Sequence, residues 1–137
     1  MKNIKLNRGF LNSNKNRVVR VRIKDNEAFL TIKGITSNSG TTRFEWEKEI
    51  SFEDGKQLLE MCEQTIIQKV RYLVKINKHT YEVDVFHGEN EGLIIAEIEL
   101  ESEDEKFEKP NWIGEEVTGQ AKYYNSQLSI SPFKNWT

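Results

Sequence analysis

The chain has 137 residues, of which 36% are hydrophobic and 31% charged, and its net charge is −2. That is enough chain for one domain with a buried core, and too apolar a composition for disorder. The near balance of charge excludes a bulk basic surface for nucleic acid or an anionic membrane, so any basic face must be local.

Period-two alternation dominates from the start. Strands are expected at GFLN (9–12), VVRVRI (18–23), AFLTIKG (28–34) and RFEWEKEI (43–50), and then at VRYLV (70–74), TYEVDVF (80–86) and LIIAEIELE (93–101). Turn-rich pieces divide them: NSNKN, KDNE, GITSNSGTT, INKH and HGENEG. Connections this short predict a mainly antiparallel sheet. One helix is expected at SFEDGKQLLEMCEQ (51–64), opened by Ser51 with Asp54 three residues on and faced by Leu58, Leu59, Met61 and Cys62. After Glu101 the chain becomes an acidic loop, SEDEKFEKPNWIGEEVTG, anchored by Trp112, and AKYYNSQLSI predicts a second short helix. No linker divides the chain, which reads as a single domain over 1–137. Neither a signal peptide nor a membrane span is expected, and the single cysteine, Cys62, is expected to be a buried structural thiol, all of which suits the cytoplasm.

The strands have one apolar and one ionisable face. With a two-residue turn at Asp25-Asn26, Lys24 pairs with Glu27 and Arg20 with Thr31, so Lys33 shares a face with Arg20 and Arg22. The next strand alternates Glu45, Glu47 and Glu49 with Trp46 and Ile50. A turn at Asn77-Lys78 sets Arg71 opposite Asp84 and Leu73 opposite Glu82, with Lys69 on that face. The last strand alternates Glu97, Glu99 and Glu101 with Ala96, Ile98 and Leu100.

For one strand, a solvated outer face explains such a pattern. Recurrence on at least five strands, with few uncharged polar residues, suits a barrel with a charged interior as well. Paired carboxylates suit hard cations such as Mg²⁺ or Mn²⁺, and clustered Arg and Lys suit phosphate oxygens. Together they point to a metal-bound polyphosphate, with the solvated face as the competing account. His79 and His87 lie beside turns and are expected at the surface. GENEG lacks the pattern of a phosphate loop.

At these residues the sequence resembles the CYTH domain family, also called the triphosphate tunnel metalloenzymes. RVRIK, FLTIKG, RFEWEKEI, KVRYLV, YEVDVF, GLIIAEIELESEDE and EVTGQAKYYNSQL carry the likeness in order, from about Arg8 to Trp136. The resemblance implies an α+β, mainly antiparallel tunnel barrel of about seven strands, one short of the usual eight, with flanking helices. It implies binding or hydrolysis of a triphosphate, with tripolyphosphate first and a nucleoside triphosphate second, and with one or two Mg²⁺ or Mn²⁺ ions. By matching motif, Arg20, Arg22, Lys33, Lys69, Arg71 and Lys122 would bind phosphate. Glu97 and Glu99 would hold the metal, with Glu45 and Glu47 at a second ion or at the attacking water. Glu45, Glu47 and Lys69 are thus the catalytic candidates, and Glu82 and Asp84 line the tunnel without an assigned role. The chemistry implied is attack of a metal-associated water on a terminal phosphorus.

Two departures accompany the likeness. The family's opening Glu-x-Glu-x-Lys strand is not found, and NRGFLN stands for the family's Gln-Gly-Tyr-Leu segment. The family's Asp-Lys-Arg-Tyr appears as Gln120-Ala121-Lys122-Tyr123. An open seam is therefore expected, closed by homodimerisation or by another segment. The alternatives to a triphosphatase are a degenerate module that binds polyphosphate or a nucleoside triphosphate without turnover and, more weakly, an adenylate cyclase.

Overall fold

A computed structural model describes residues 2–36 and 43–136. Seven antiparallel strands form one sheet: β1 Lys2–Asn12, β2 Val18–Lys24, β3 Glu27–Thr36, β4 Arg43–Ile50, β5 Glu63–Ile76, β6 His79–His87 and β7 Ile94–Ile98. Their spatial order is β4-β3-β2-β1-β5-β6-β7. The first strand in the chain is therefore the middle of the sheet. The described sheet is not closed, and β4 and β7 are its edges.

All seven expected strands are present, with three changes of extent. β1 begins at Lys2 rather than Gly9, and β5 runs 14 residues from Glu63 rather than starting at Val70. β7 ends at Ile98, so Glu99 and Glu101 lie beyond it. There the Glu101 N–H donates to the Glu105 side chain at 2.6 Å instead of to a neighbouring strand. The expected GITSNSGTT turn lies mostly outside the described residues.

Two hairpin turns fix the register as their sequences predict. Lys24 faces Glu27 and Arg20 faces Thr31 across β2 and β3. Arg71 faces Asp84 and Leu73 faces Glu82 across β5 and β6. Asp25 and Asn77 take the left-handed backbone conformation, with φ of 53° and 57°, at residue types that tolerate it. Asp25 also accepts a hydrogen bond from the Lys5 N–H at 3.0 Å, which ties this hairpin to β1.

Helix α1, Phe52–Glu60, is capped by Ser51, whose hydroxyl accepts from the Asp54 N–H at 3.0 Å. It ends sooner than expected: Met61 is exposed, and Cys62 falls at the junction with β5. The Cys62 thiol points back toward the Leu58 carbonyl at 3.5 Å, and burial and Glu63 push its pKa up to about 11, so it is a poor nucleophile. α1 lies on the apolar face of β2 and β3, over Val21, Ile23 and Ala28.

Gly55 makes this seating possible. A Cβ there would stand 2.5 Å from the Ala28 Cβ, an atom fixed to the β3 backbone. Gly55→Ala gains about 1 kcal/mol of helix propensity but overpacks at a cost of about 1–3 kcal/mol. We expect a net loss of about 1 kcal/mol by urea unfolding. A more stable variant would show that α1 is free to lift.

At the other end of the sheet, helix α2, Asn125–Ile130, covers the opposite face. Leu128 packs with Ile67, Phe86 and Leu93, and Tyr123, Phe133 and Trp136 close around them. The acidic loop has no α-helix and lies along β6. There the Tyr81 hydroxyl donates to the Glu108 carbonyl at 2.9 Å, and the Tyr81 ring meets Trp112 edge-on. His79, expected at the surface, is buried against Glu105 in this seam. Its strand position points it under the acidic loop. His87 is exposed as expected.

Candidate functional site

Registers across all seven strands decide which side chains share a face. Starting from Arg20, the pairs run Arg20–Thr31 and Thr31–Glu47 toward β4, and Arg20–Phe10 and Arg22–Arg8 toward β1. Leu6 then pairs with Lys69, Lys69 with Phe86, Arg71 with Asp84, and Glu82 with Glu97. Arg20, Arg22, Lys33, Glu45, Glu47, Lys69, Arg71, Glu82, Asp84 and Glu97 therefore lie on one face of the sheet. Ile67 and Phe86 are on that face too, so α2 closes one end of it. Glu99 lies just past β7.

The charges on this face are not evenly paired. On the β5–β6 side Asp84 is the hub. Its carboxylate accepts from Arg71 Nε at 2.8 Å and Nη2 at 3.0 Å, and takes Lys69 Nζ at 2.8 Å. Arg71 also reaches Glu82 at 3.5 Å. Lys69 is only 7% exposed and Asp84 only 2%. Burial opposes ionisation of Asp84, but the hydrogen bonds and charges of Arg71 and Lys69 outweigh it and hold its pKa below the ordinary value. The hydrogen bond to Asp84 raises Arg71. Burial lowers Lys69, helped by the charges of Arg71 and Arg8 and opposed by Asp84.

The β1–β2 side differs. Arg8, Arg20 and Arg22 each bury an Nε that has no hydrogen-bond partner among the described residues. Of the three, Arg22 alone has a carboxylate within ion-pair distance there, Glu47 at 3.9 Å. Arg22 also sits over the Phe29 ring. Burial, then the charges of Arg20, Arg22 and Arg71, push the Arg8 pKa down to about 10. Arg8 is still a cation at neutral pH. Arg20 is lowered as well, by burial and Arg22. A cleft of about 210 Å³ opens beside Arg20, lined also by Phe10, Val18, Thr31, Lys33 and Arg43.

Arg8 was absent from the expected site. The strand expected at GFLN stopped one residue short of it, and only the full length of β1 brings it beside Arg22. Lys122 is placed differently from the other cations. It is exposed on the 3₁₀ turn Ala121–Tyr123, and its ammonium lies over the Tyr123 and Trp136 rings at 5.2 and 4.7 Å.

The carboxylates divide between the two edges. Glu45 lies near Lys33 at 4.0 Å and Glu47 accepts from the Thr31 hydroxyl at 2.7 Å, both from β4. Glu97 is across the sheet on β7. The described residues hold no converging group of three or more His, Cys, Asp or Glu side chains. Glu82 and Glu97, however, are direct cross-strand neighbours, and two like charges so placed are relieved by a cation. This donor set fits an ion that takes one or two carboxylates and completes its shell with water and phosphate oxygens, as Mg²⁺ does.

No described helix is long and apolar enough to cross a membrane. The family model for the CYTH domain matches residues 6–129. An inorganic triphosphatase of Acetivibrio thermocellus is 44% identical over 136 residues, 98% of this chain and 86% of the relative. An inorganic triphosphatase of Nitrosomonas europaea is 33% identical over 132 residues, 93% of this chain and 85% of the relative. The crystal structure of the inorganic triphosphatase NE1496 superposes with a TM-score of 0.81 at 31% identity, covering 95% of this chain and 87% of that one.

Proposed function

Because this chain belongs to the CYTH domain family, we propose that it hydrolyses an inorganic triphosphate, with tripolyphosphate as the substrate. The observation that carries the reading is the unbalanced face: three arginines whose buried N–H groups have no partner among the described residues, beside two cations already paired with Asp84. Buried N–H groups are rarely left unpaired, and a forked guanidinium matches phosphate oxygens. The high identity to proteins named inorganic triphosphatase supports the same substrate class.

Arg20 and Arg22 would grip the phosphate chain, with Lys33 at its β3 side and Lys69 and Arg71 at its β5 side. Glu97 and Glu99 would hold Mg²⁺ or Mn²⁺, with Glu82 beside Glu97 and Glu45 and Glu47 facing from β4. When bound, that ion supplies stabilisation of negative charge on the phosphoryl oxygens. Water attacks the terminal phosphorus, the bridging P–O bond breaks, and its electrons leave with pyrophosphate. Glu47, hydrogen-bonded to Thr31, would orient the water and accept its proton. Lys69, its pKa lowered by burial, would hand a proton to the leaving oxygen.

The test is phosphate release from tripolyphosphate with Mg²⁺, with Mn²⁺ and with a chelator. Turnover with either ion and none with chelator is expected. A folded protein that binds tripolyphosphate but releases no phosphate would replace the hydrolase with a binding module, the reading favoured by the lack of a three-carboxylate cluster among the described residues. A protein that neither binds nor releases would overturn both.

A further inference from the structure

Arg8 is a half-buried cation of this face for which neither the expected site nor the proposed chemistry has a use. It comes from β1, the middle strand. Its direct neighbours on the two sides are Arg22 on β2 and Ile67 on β5. Neither supplies a carboxylate. The diagonal positions on its own face bring Arg20 and Lys24 from β2 and Lys69 from β5, so three further cations lie around Arg8 beside its apolar neighbours Leu6, Phe10 and Ile67. Across antiparallel strands, direct neighbours lie about 5 Å apart and diagonals about 7–8 Å. At those spacings cations in a partly desolvated site repel.

The native site thus contains an arginine that is half-buried, has no hydrogen-bond partner on its Nε among the described residues, and has cations on both sides of its strand. A structural arginine is normally paired, since a buried donor left unsatisfied is costly, and more so on a charged group. Arg8 has no carboxylate within ion-pair distance among the described residues, and the oxygens of Asp84 are already taken by Arg71 and Lys69. An anion resting on the face would meet the guanidinium groups of Arg8, Arg20 and Arg22 together and offset their mutual repulsion.

We infer that Arg8 is a phosphate-binding residue of this site, closing the gap between Arg20 and Arg22 on one side and Lys69 on the other, so that one polyphosphate anion is held across β2, β1 and β5. The inference rests on the triphosphate reading above. It adds a consequence for the free protein: the bare site stores repulsion that the anion releases, so occupancy and stability are linked.

That linkage gives opposite signs to a binding role and a structural one. The probe is inorganic tripolyphosphate with chelator present, so that binding is read without turnover. Unfolding temperature and calorimetric affinity are measured for the native protein, Arg8→Gln and Arg8→Lys. Gln is the residue that the family's Gln-Gly-Tyr-Leu segment has at this place. In Arg8→Gln the free protein is expected to melt about 2–4 °C higher, because a repelling charge is gone. Its affinity for tripolyphosphate is expected to fall on the order of 10- to 100-fold, and the ligand-induced rise in melting temperature to shrink with it. Arg8→Lys keeps the charge without the fork and is expected to lie between the two.

Native-like affinity in either folded variant overturns the role of Arg8. So does a lower melting temperature of free Arg8→Gln with the ligand-induced rise intact, which marks a structural arginine. If Arg8→Gln does not fold, the lysine variant decides: affinity equal to the native protein's removes the inference. A native protein that shows no binding of tripolyphosphate sinks the triphosphate reading itself, whatever the variants do.

Discussion

Replacing Glu97 and Glu99 together with Gln is expected to lower tripolyphosphate turnover on the order of 10³-fold while leaving the fold intact. Both residues are exposed, and Glu97 faces Glu82 across β6 and β7. Removing one of two facing carboxylates relieves a repulsion of about 0.2–1 kcal/mol, so the variant should unfold at the same urea concentration or slightly above it. The loss in rate has a different source. A divalent ion stabilising phosphoryl charge contributes several kcal/mol, and about 4 kcal/mol corresponds to 10³ in rate. Gln keeps the size of the side chain and removes the charge that a hard cation requires. The measurement is the initial rate of phosphate release at saturating tripolyphosphate, with a urea titration of the same preparation. Turnover within tenfold of the native rate would move the ion to Glu45 and Glu47 on the other edge.

The largest effect on stability is expected from Asp84→Asn. Asp84 is the only counter-charge in hydrogen-bond contact with Lys69 and the chief one for Arg71 among the described residues. The amide has the same shape but no charge, and it presents an N–H₂ to one of the two cations. Breaking a buried pair from one side costs about 3–5 kcal/mol, because the partner charge stays behind. Set against a total stability of about 5–15 kcal/mol, that is a large share. Glu82, at 3.5 Å from Arg71, offsets part of the loss for Arg71 but does not reach Lys69 among the described ion pairs. The same carboxylate carries a pH dependence. Its folded pKa is depressed, so its contribution is complete above the unfolded Asp value of about 3.9 and is lost as pH falls through the folded value. The native protein should lose stability below about pH 4, and Asp84→Asn should lose less over that range. A midpoint shift equivalent to under 1 kcal/mol would show that Lys69 gives up its proton when its partner is removed.

Most of this face is legible in the sequence. The hairpins were readable because two-residue turns leave one register open, and that register alone fixes Arg71 on Asp84 and Arg20 on Thr31. What escaped was the strand that mixes its faces. Ile4, Leu6, Arg8 and Phe10 share one side of β1. An apolar–cationic mixture on one face blurs the alternation that marks a strand, so the first half of β1 and Arg8 with it went unread. The pairing of charges was equally hidden. Lys69 and Arg71 looked as available for phosphate as Arg20 and Arg22, and only three-dimensional placement shows that Asp84 has engaged the first two. The end of β7 is a competition: the Glu101 N–H finds the Glu105 side chain before it finds a strand. The burial of His79 is not legible locally, because the loop that covers it is far along the chain.

β4 has one further consequence. It is an edge strand, and all its residues but Ile50 are exposed. It has hydrogen bonds to β3 on one side only and little buried apolar area to resist opening. Its amides should therefore exchange with deuterium earliest among the strands, long before those of β1, which is held on both sides. Glu45 and Glu47 ride on that strand. Their arrival at the arginine face is then a matter of how often β4 is docked, and slowed exchange across 43–50 on adding tripolyphosphate would make the edge itself a recorder of occupancy.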